Sequence, residues 1–177
     1  MKAVIIESFG GPEQLSLGEW EKPQPTQNQI LVKVHATALN RADTLQRRGA
    51  YPPPAGASPI LGLEIAGEVA EVGAEVTQWQ PGDRVFGLVP GGGYAEYAVI
   101  HEAMAMPIPN GLTFEQAAAI PEVFLTAYQA MKWLADVQPG ETLLIHAGAS
   151  GVGTAALQLA QAMEVKTIVT ASAPKHQ

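Results

Sequence analysis

The 177-residue chain carries 17 Asp and Glu against 10 Lys and Arg, a formal net charge of −7, which argues against a general nucleic-acid or membrane-surface role. With 47% hydrophobic and 15% charged residues it fits a globular protein of one domain or two small ones, with a sizeable core. There is no cysteine and no long uninterrupted apolar run, which excludes a disulfide framework, a thiolate-built zinc site and an ordinary transmembrane helix.

The N-terminus turns acidic at Glu7 and reaches Gly10-Gly11 too early for a signal peptide, so the expected location is cytoplasmic. Residues 1–110 read as β-rich. Short apolar runs at Ala3–Ile6, Gln29–Ala36, Gly62–Val72, Arg84–Val89 and Tyr94–Ile100 alternate with turn signals, the pattern of a small barrel or sandwich. Ala38–Arg48 is a candidate short helix. Tyr51-Pro-Pro-Pro54 after it reads as an extended surface loop, because proline fits neither a helix interior nor a central strand. Gln80-Pro-Gly-Asp83 is a tight turn.

The character of the chain changes near Leu112. Thr113 is placed as a helix N-cap, with Gln116 completing a capping box. Pro121 interrupts that piece, and Glu122–Ala135 follows with helical spacing in Val123, Ala127, Ala130, Met131 and Leu134. Leu143–Ile145 then runs into a glycine-dense turn and an alanine-rich amphipathic stretch, which reads strand, loop, helix. A second strand is expected at Lys166–Thr170.

A helix N-terminus offers unpaired N–H groups and a partial positive charge, so this loop suits a pyrophosphate. Two registers fit. Gly148-x-Ser150-x-x-Gly153 has serine in the middle glycine position, and Gly151-x-Gly153-x-x-Ala156 fits unaltered. The first is preferred because Gly148 comes directly off the strand, leaving Ser150 to bond a phosphate through its N–H or hydroxyl. The plainer alternative is a βα turn that needs glycine for sterics. No Asp or Glu follows the second strand, where an NAD-binding fold would use one on the ribose. Ser172 and Lys175 can instead meet a 2′-phosphate, which favours NADP(H), unless Lys175 is simply a solvated lysine near the end of the sequence.

Asn40-Arg-Ala-Asp43, Gly62-Leu-Glu64, Gly92-Gly-Tyr-Ala-Glu-Tyr97, Ala118-Ala-Ile-Pro-Glu122 and His146-Ala-Gly-Ala-Ser-Gly-Val-Gly153 occur in one order. Together they make the chain resemble, over essentially its whole length, the zinc-independent, zeta-crystallin-like quinone oxidoreductases of the medium-chain dehydrogenase/reductases. The resemblance implies a mixed α/β chain: a GroES-like β-barrel catalytic domain at 1–120, then the first β-α-β part of an NADP-binding Rossmann domain at 121–177. It implies NADPH as cofactor and a quinone, or another conjugated carbonyl, as acceptor. Zinc-dependent relatives carry Cys and His where this chain has Asn40 and Leu63. His35, His101, His146 and His176 show no ligand-like spacing, so no metal is expected.

The same resemblance implies residue roles. Asn40 and Asp43 would line the nicotinamide end of the site, and Tyr51 would hydrogen-bond substrate or cofactor, with Gln46 in the same pocket. Thr126 would lie near the nicotinamide amide. Gly148, Ala149, Ser150, Gly151, Val152 and Gly153 would line the pyrophosphate, and Glu64 would buttress the barrel. Family members run longer and return to finish the catalytic domain, so the sequence reads as C-terminally truncated. Its Rossmann part is expected to expose an apolar edge open to self-association, and to bind NADPH more weakly than a full-length relative. Two competing readings are a non-catalytic binding module and an enoyl or enone reductase of the same superfamily.

Overall fold

A computed structural model describes residues 1–173, and the chain divides into two units, Met1–Pro121 and Glu122–Gln177. In the first unit, β1 (Lys2–Ile6) and β2 (Leu15–Glu19) form an antiparallel hairpin closed by a 3₁₀ turn at Pro12–Gln14. A five-stranded antiparallel sheet follows. It contains β3 (Gln29–Thr37), β4 (Glu64–Val72), β5 (Arg84–Leu88), β6 (Tyr97–His101) and β7 (Ala105–Pro107), in the spatial order β6-β3-β4-β5-β7. An Ala3–Ala95 bridge joins hairpin and sheet, flanked by Val4 N–H to Tyr94 O at 2.9 Å and Glu96 N–H to Lys2 O at 3.1 Å.

Strand alternation explains why β4 is buried on both faces. Ile65 and Val69 join Ile30, Val32, Val85 and Ile100 in the main core. Ala66, one residue out of phase, packs with Phe86 and Ile108 beneath α2 (Phe114–Ala118). Register shifts in β3 between Leu31 and Val32, and between Val34 and Ala36, bend the pair. Gly67 sits at this bend, where a Cβ would collide with the Lys33 carbonyl oxygen.

Several sequence boundaries move. The strand expected from Gly62 begins at Glu64, because Gly62 has φ +99° and lies against Gly93. The strand expected from Tyr94 begins at Tyr97, and the first helix is α1 (Arg41–Arg47). β2 and β7 went unread. β2 (LSLGE) lacks β-branched residues, and β7 is three residues ending in a proline at a sheet edge. The capping box stands as expected: Gln116 N–H reaches Thr113 Oγ1 at 3.3 Å, and Thr113 N–H reaches Gln116 Oε1 at 3.0 Å.

α2 ends at Ala118, so Pro121 interrupts that piece as expected. It opens α3 (Pro121–Tyr128), where its missing N–H costs nothing. The remainder of the expected helix, Gln129–Leu134, widens into a π turn that the sequence period did not reveal. In the second unit, β8 (Thr142–Ile145) and β9 (Lys166–Val169) are parallel and flank α4 (Gly151–Ala162). Ala155, Ala156 and Ala160 pack against Ala127, Met131 and Val137. Leu144, Ile168 and Val169 remain 54%, 59% and 45% exposed, the open apolar surface expected of a two-stranded unit. Among the described residues, no helix is long and apolar enough to cross a membrane.

Ile65 is fully buried, so Ile65→Ala is expected to destabilise the first unit by about 2–5 kcal/mol. Leu144→Ala, at an exposed position, should stay within about 0.5 kcal/mol. Urea midpoints followed by circular dichroism check both, and equal shifts would contradict the assigned core.

Candidate functional site

The first group of predicted site residues sits on and beside α1. This helix turns polar side chains inward: Asp43, Gln46 and Arg47 are all buried, at the i, i+3, i+4 spacing of one helical face. Buried polar groups need partners. Asp43 Oδ2 accepts from the Asn40 N–H at 2.7 Å and from the Tyr94 hydroxyl at 2.7 Å. Asn40 Nδ2 donates to Glu64 Oε1 at 2.7 Å, and Glu64 is 1% exposed. The Glu64 carbonyl in turn accepts from Thr37 Oγ1 at 2.7 Å. Asn40, Asp43, Glu64 and Tyr94 therefore form one connected cluster. Asp43 Oδ1 is buried in it without a hydrogen-bond partner among the described residues.

Burial, and then the hydrogen bond to the Asp43 carboxylate, push the Tyr94 hydroxyl pKa well above the ordinary tyrosine value. The Tyr94 oxygen is thus held as a neutral donor. The Gly92–Tyr97 motif contains Tyr94, but only the tertiary fold brings its hydroxyl to Asp43. Among the described residues there is no group of three or more His, Asp or Glu side chains placed to hold a metal ion.

Gln46 and Tyr51 do not join the polar cluster. They line a separate cavity of about 530 Å³ in the first unit. Tyr51 is 47% exposed at its edge, and Gln46 is 4% exposed.

In the second unit, the glycine loop connects β8 to α4. Ala147 takes φ +54°, so the left-handed residue of this turn is an alanine. A Cβ on Gly148 would lie 2.8 Å from Val169 Cβ. One on Gly153 would collide with the Ala147 carbonyl and lie 2.7 Å from Gly148 Cα. A Cβ on Gly151 would meet only a Val123 methyl, at 3.1 Å. Close backbone approach is therefore demanded at Gly148 and Gly153.

Ser150 is the α4 N-cap. Its Oγ accepts from Gly153 N–H at 3.0 Å, and its own N–H donates to Ala147 O at 2.8 Å. The Ser150 N–H is thus engaged in shaping the turn, while its hydroxyl, which accepts from Gly153, keeps its own proton to donate. The first-turn N–H groups of Gly151 and Val152 have no intrahelical acceptor, and both residues are exposed. Ala149 is exposed on the same turn, Thr126 is exposed on α3, and Ser172 is exposed beyond β9. Lys175 lies outside the described residues.

The alcohol dehydrogenase GroES-like domain profile matches residues 26–110. A quinone oxidoreductase of Pseudomonas aeruginosa is 40% identical over 175 residues, spanning 98% of this chain and 54% of that protein. The crystal structure of Escherichia coli quinone oxidoreductase complexed with NADPH superposes with a TM-score of 0.88 at 36% identity, covering 99% of this chain and 54% of that one. The CurK enoyl reductase structure gives 0.89 at 34% identity, covering 98% and 55%. The chain thus spans about half the length of these relatives. The strand pattern and these likenesses agree on a mixed α/β chain, a GroES-like part followed by the start of a Rossmann-type fold.

The raised Tyr94 pKa has a sign that can be tested. Its contribution to stability is whole below pH 10.0, the ordinary value, and is lost as pH rises above that, because the unfolded hydroxyl ionises first. Tyr94→Phe should therefore flatten the fall of the urea midpoint at alkaline pH relative to the unaltered chain. Parallel curves would show that the hydroxyl is not held neutral.

Proposed function

We propose that this chain, which belongs to the medium-chain dehydrogenase/reductase superfamily, is part of an NADPH-dependent, zinc-independent reductase of quinones. The observation that carries the reading is the cradle of the β8–α4 loop: at Gly148 and Gly153 the Val169 side chain and the loop's own backbone leave no room for a Cβ, and the exposed first turn of α4 at Gly151 and Val152 follows. Such a cradle fits a dinucleotide pyrophosphate, and the twelve-residue α4 adds its dipole. When bound, the nicotinamide would supply the hydride. With one solvent proton, the net change is quinone to hydroquinone and NADPH to NADP⁺.

The chain's own residues do the rest. Residues 121–177 are assigned as the start of the NADP-binding domain. Gly151 and Val152 donate to the phosphates through their N–H groups, with Ala149 beside them on the turn. Ser150 acts through the shape it imposes on the loop. Thr126 is assigned to the nicotinamide amide, and Ser172 with Lys175 to the 2′-phosphate. Residues 1–120 are assigned as the catalytic domain. There Asn40 and Asp43 line the nicotinamide end. Tyr51 offers its hydroxyl to an acceptor carbonyl on which negative charge grows during reduction. Gln46 orients the same end of the acceptor. The network through Tyr94 and Glu64 holds Asn40 and Asp43 in place without taking part in electron transfer.

The likeness to the CurK enoyl reductase favours a second reading in which the acceptor is a carbon–carbon double bond conjugated to a carbonyl. A panel of quinones and enones separates the two.

Calorimetric titration of residues 1–177 is expected to show saturable NADPH binding that is stronger than NADH binding. Gly153→Val should weaken it by at least about tenfold, since the new side chain must displace backbone. Tyr51→Phe should lower quinone-dependent NADPH oxidation while leaving NADPH affinity unchanged. NADPH binding insensitive to Gly153→Val would remove the loop from the cofactor site.

A further inference from the structure

The chain's asparagines are Asn28, Asn40 and Asn110, and the fold treats them differently. An asparagine loses its amide when the backbone nitrogen of the following residue closes on its side-chain carbon, so the freedom of that nitrogen decides which one reacts. After Asn28, the Gln29 N–H donates to Thr26 O at 3.1 Å, and Gln29 opens β3. After Asn40, Arg41 begins α1, and the Asn40 side chain itself donates to Glu64 Oε1 at 2.7 Å. Ring closure at either place would break the start of a regular element.

Asn110 is placed otherwise. It and Gly111 are both exposed, in a turn closed by Leu112 N–H to Pro109 O at 3.2 Å. Gly111 has φ +93°, as the third residue of a type II turn requires. A Cβ there would meet nothing within 4 Å, so solvent surrounds the attacking nitrogen. Neither the Gly111 N–H nor the Asn110 side-chain amide bonds to another group among the described residues. The flanks of the turn, by contrast, are fixed. Ile108 is buried and its N–H donates to Arg84 O at 3.0 Å. Leu112 O accepts from Arg84 Nη2 at 3.0 Å, and Thr113 then caps α2.

We propose that Asn110-Gly111 is a self-modification site in the folded chain, and that its isoaspartyl product loosens α2 from the sheet. The Gly111 nitrogen gives its proton to solvent and bonds to Asn110 Cγ, the Cγ–Nδ2 bond breaks, and ammonia leaves with a solvent proton. Water then opens the resulting succinimide. Addition at Cγ restores the main chain as aspartate. Addition at the Asn110 backbone carbonyl carbon routes the main chain through Cγ as isoaspartate. The net change is one amide and one water to one carboxylate and one ammonium, with no redox step. Aspartate adds only a charge at an exposed turn. Isoaspartate also adds a methylene to the main chain between Ile108 and Thr113, whose positions are both set by their own bonds. The packing of α2 on Ala66, Phe86 and Ile108 must then shift.

The test is to incubate the folded chain at mildly alkaline pH, with a parallel sample in urea, and to follow each asparagine by peptide mass spectrometry. Asn110 should convert to aspartate and isoaspartate in the folded chain at a rate close to that in urea, while Asn28 and Asn40 keep their amides. Asn110→Gln, a change at an exposed side chain without partners, should abolish the conversion and leave the urea midpoint unchanged. Persistence of the Asn110 amide in the folded chain while it is lost in urea would overturn the site, as would equally fast loss at folded Asn28 or Asn40. The isoaspartyl form, separated by charge and chromatography, should unfold at lower urea than the Asn110→Asp variant. Equal midpoints for those two would overturn the effect assigned to α2.

Discussion

The first unit's site hangs on one carboxylate. α1 is seven residues long, too short to persist by its own propensity, and its buried face is polar. What holds it is Asp43 Oδ2, which accepts from Asn40 at the helix start and from Tyr94 on the segment entering β6. Losing either donor leaves a buried charge short of partners, which costs more than an ordinary hydrogen bond contributes. Because Tyr94 also accepts Val4 N–H through its carbonyl, the same residue ties α1, the sheet and the hairpin to one another.

In the second unit the corresponding constraint is steric. Gly148 and Gly153 let the loop fold back on the strand end, and Ala147 takes the left-handed conformation that glycine would adopt more cheaply. Ser150 closes the turn with its hydroxyl. Gly151 and Val152 stand exposed at the first turn of α4, so the phosphates proposed above would meet donors already in place.

Much of this was legible along the chain. The alternating runs located five of the first unit's strands, and the Thr113–Gln116 box marked the start of α2 to the residue. The glycine loop declared itself because strand, loop and helix are contiguous. The failures have a shared cause, which is that tertiary context decides them. β7 is a strand only because β5 offers it an edge. The π turn at Gln129–Leu134 leaves the apolar spacing of Met131 unchanged, so periodicity is blind to it. Tyr94 looks like an ordinary loop tyrosine until the fold brings it to Asp43.

The two halves of the first unit's site are coupled through α1. Its N-terminal end carries Asn40 and Asp43 into the polar cluster. Its C-terminal end carries Gln46 to the cavity and, through Arg47, anchors the loop bearing Phe9. A helix of two turns is stiff over that span, so the side chains proposed for the nicotinamide end and Gln46 at the cavity keep a fixed separation. The hydride transfer proposed above would ask little of the protein beyond holding two flat partners in register, and would draw on that rigidity more than on an acid or a nucleophile. Buried polar bonds at both ends of one short helix supply it, which explains why this helix turns charged residues toward the interior.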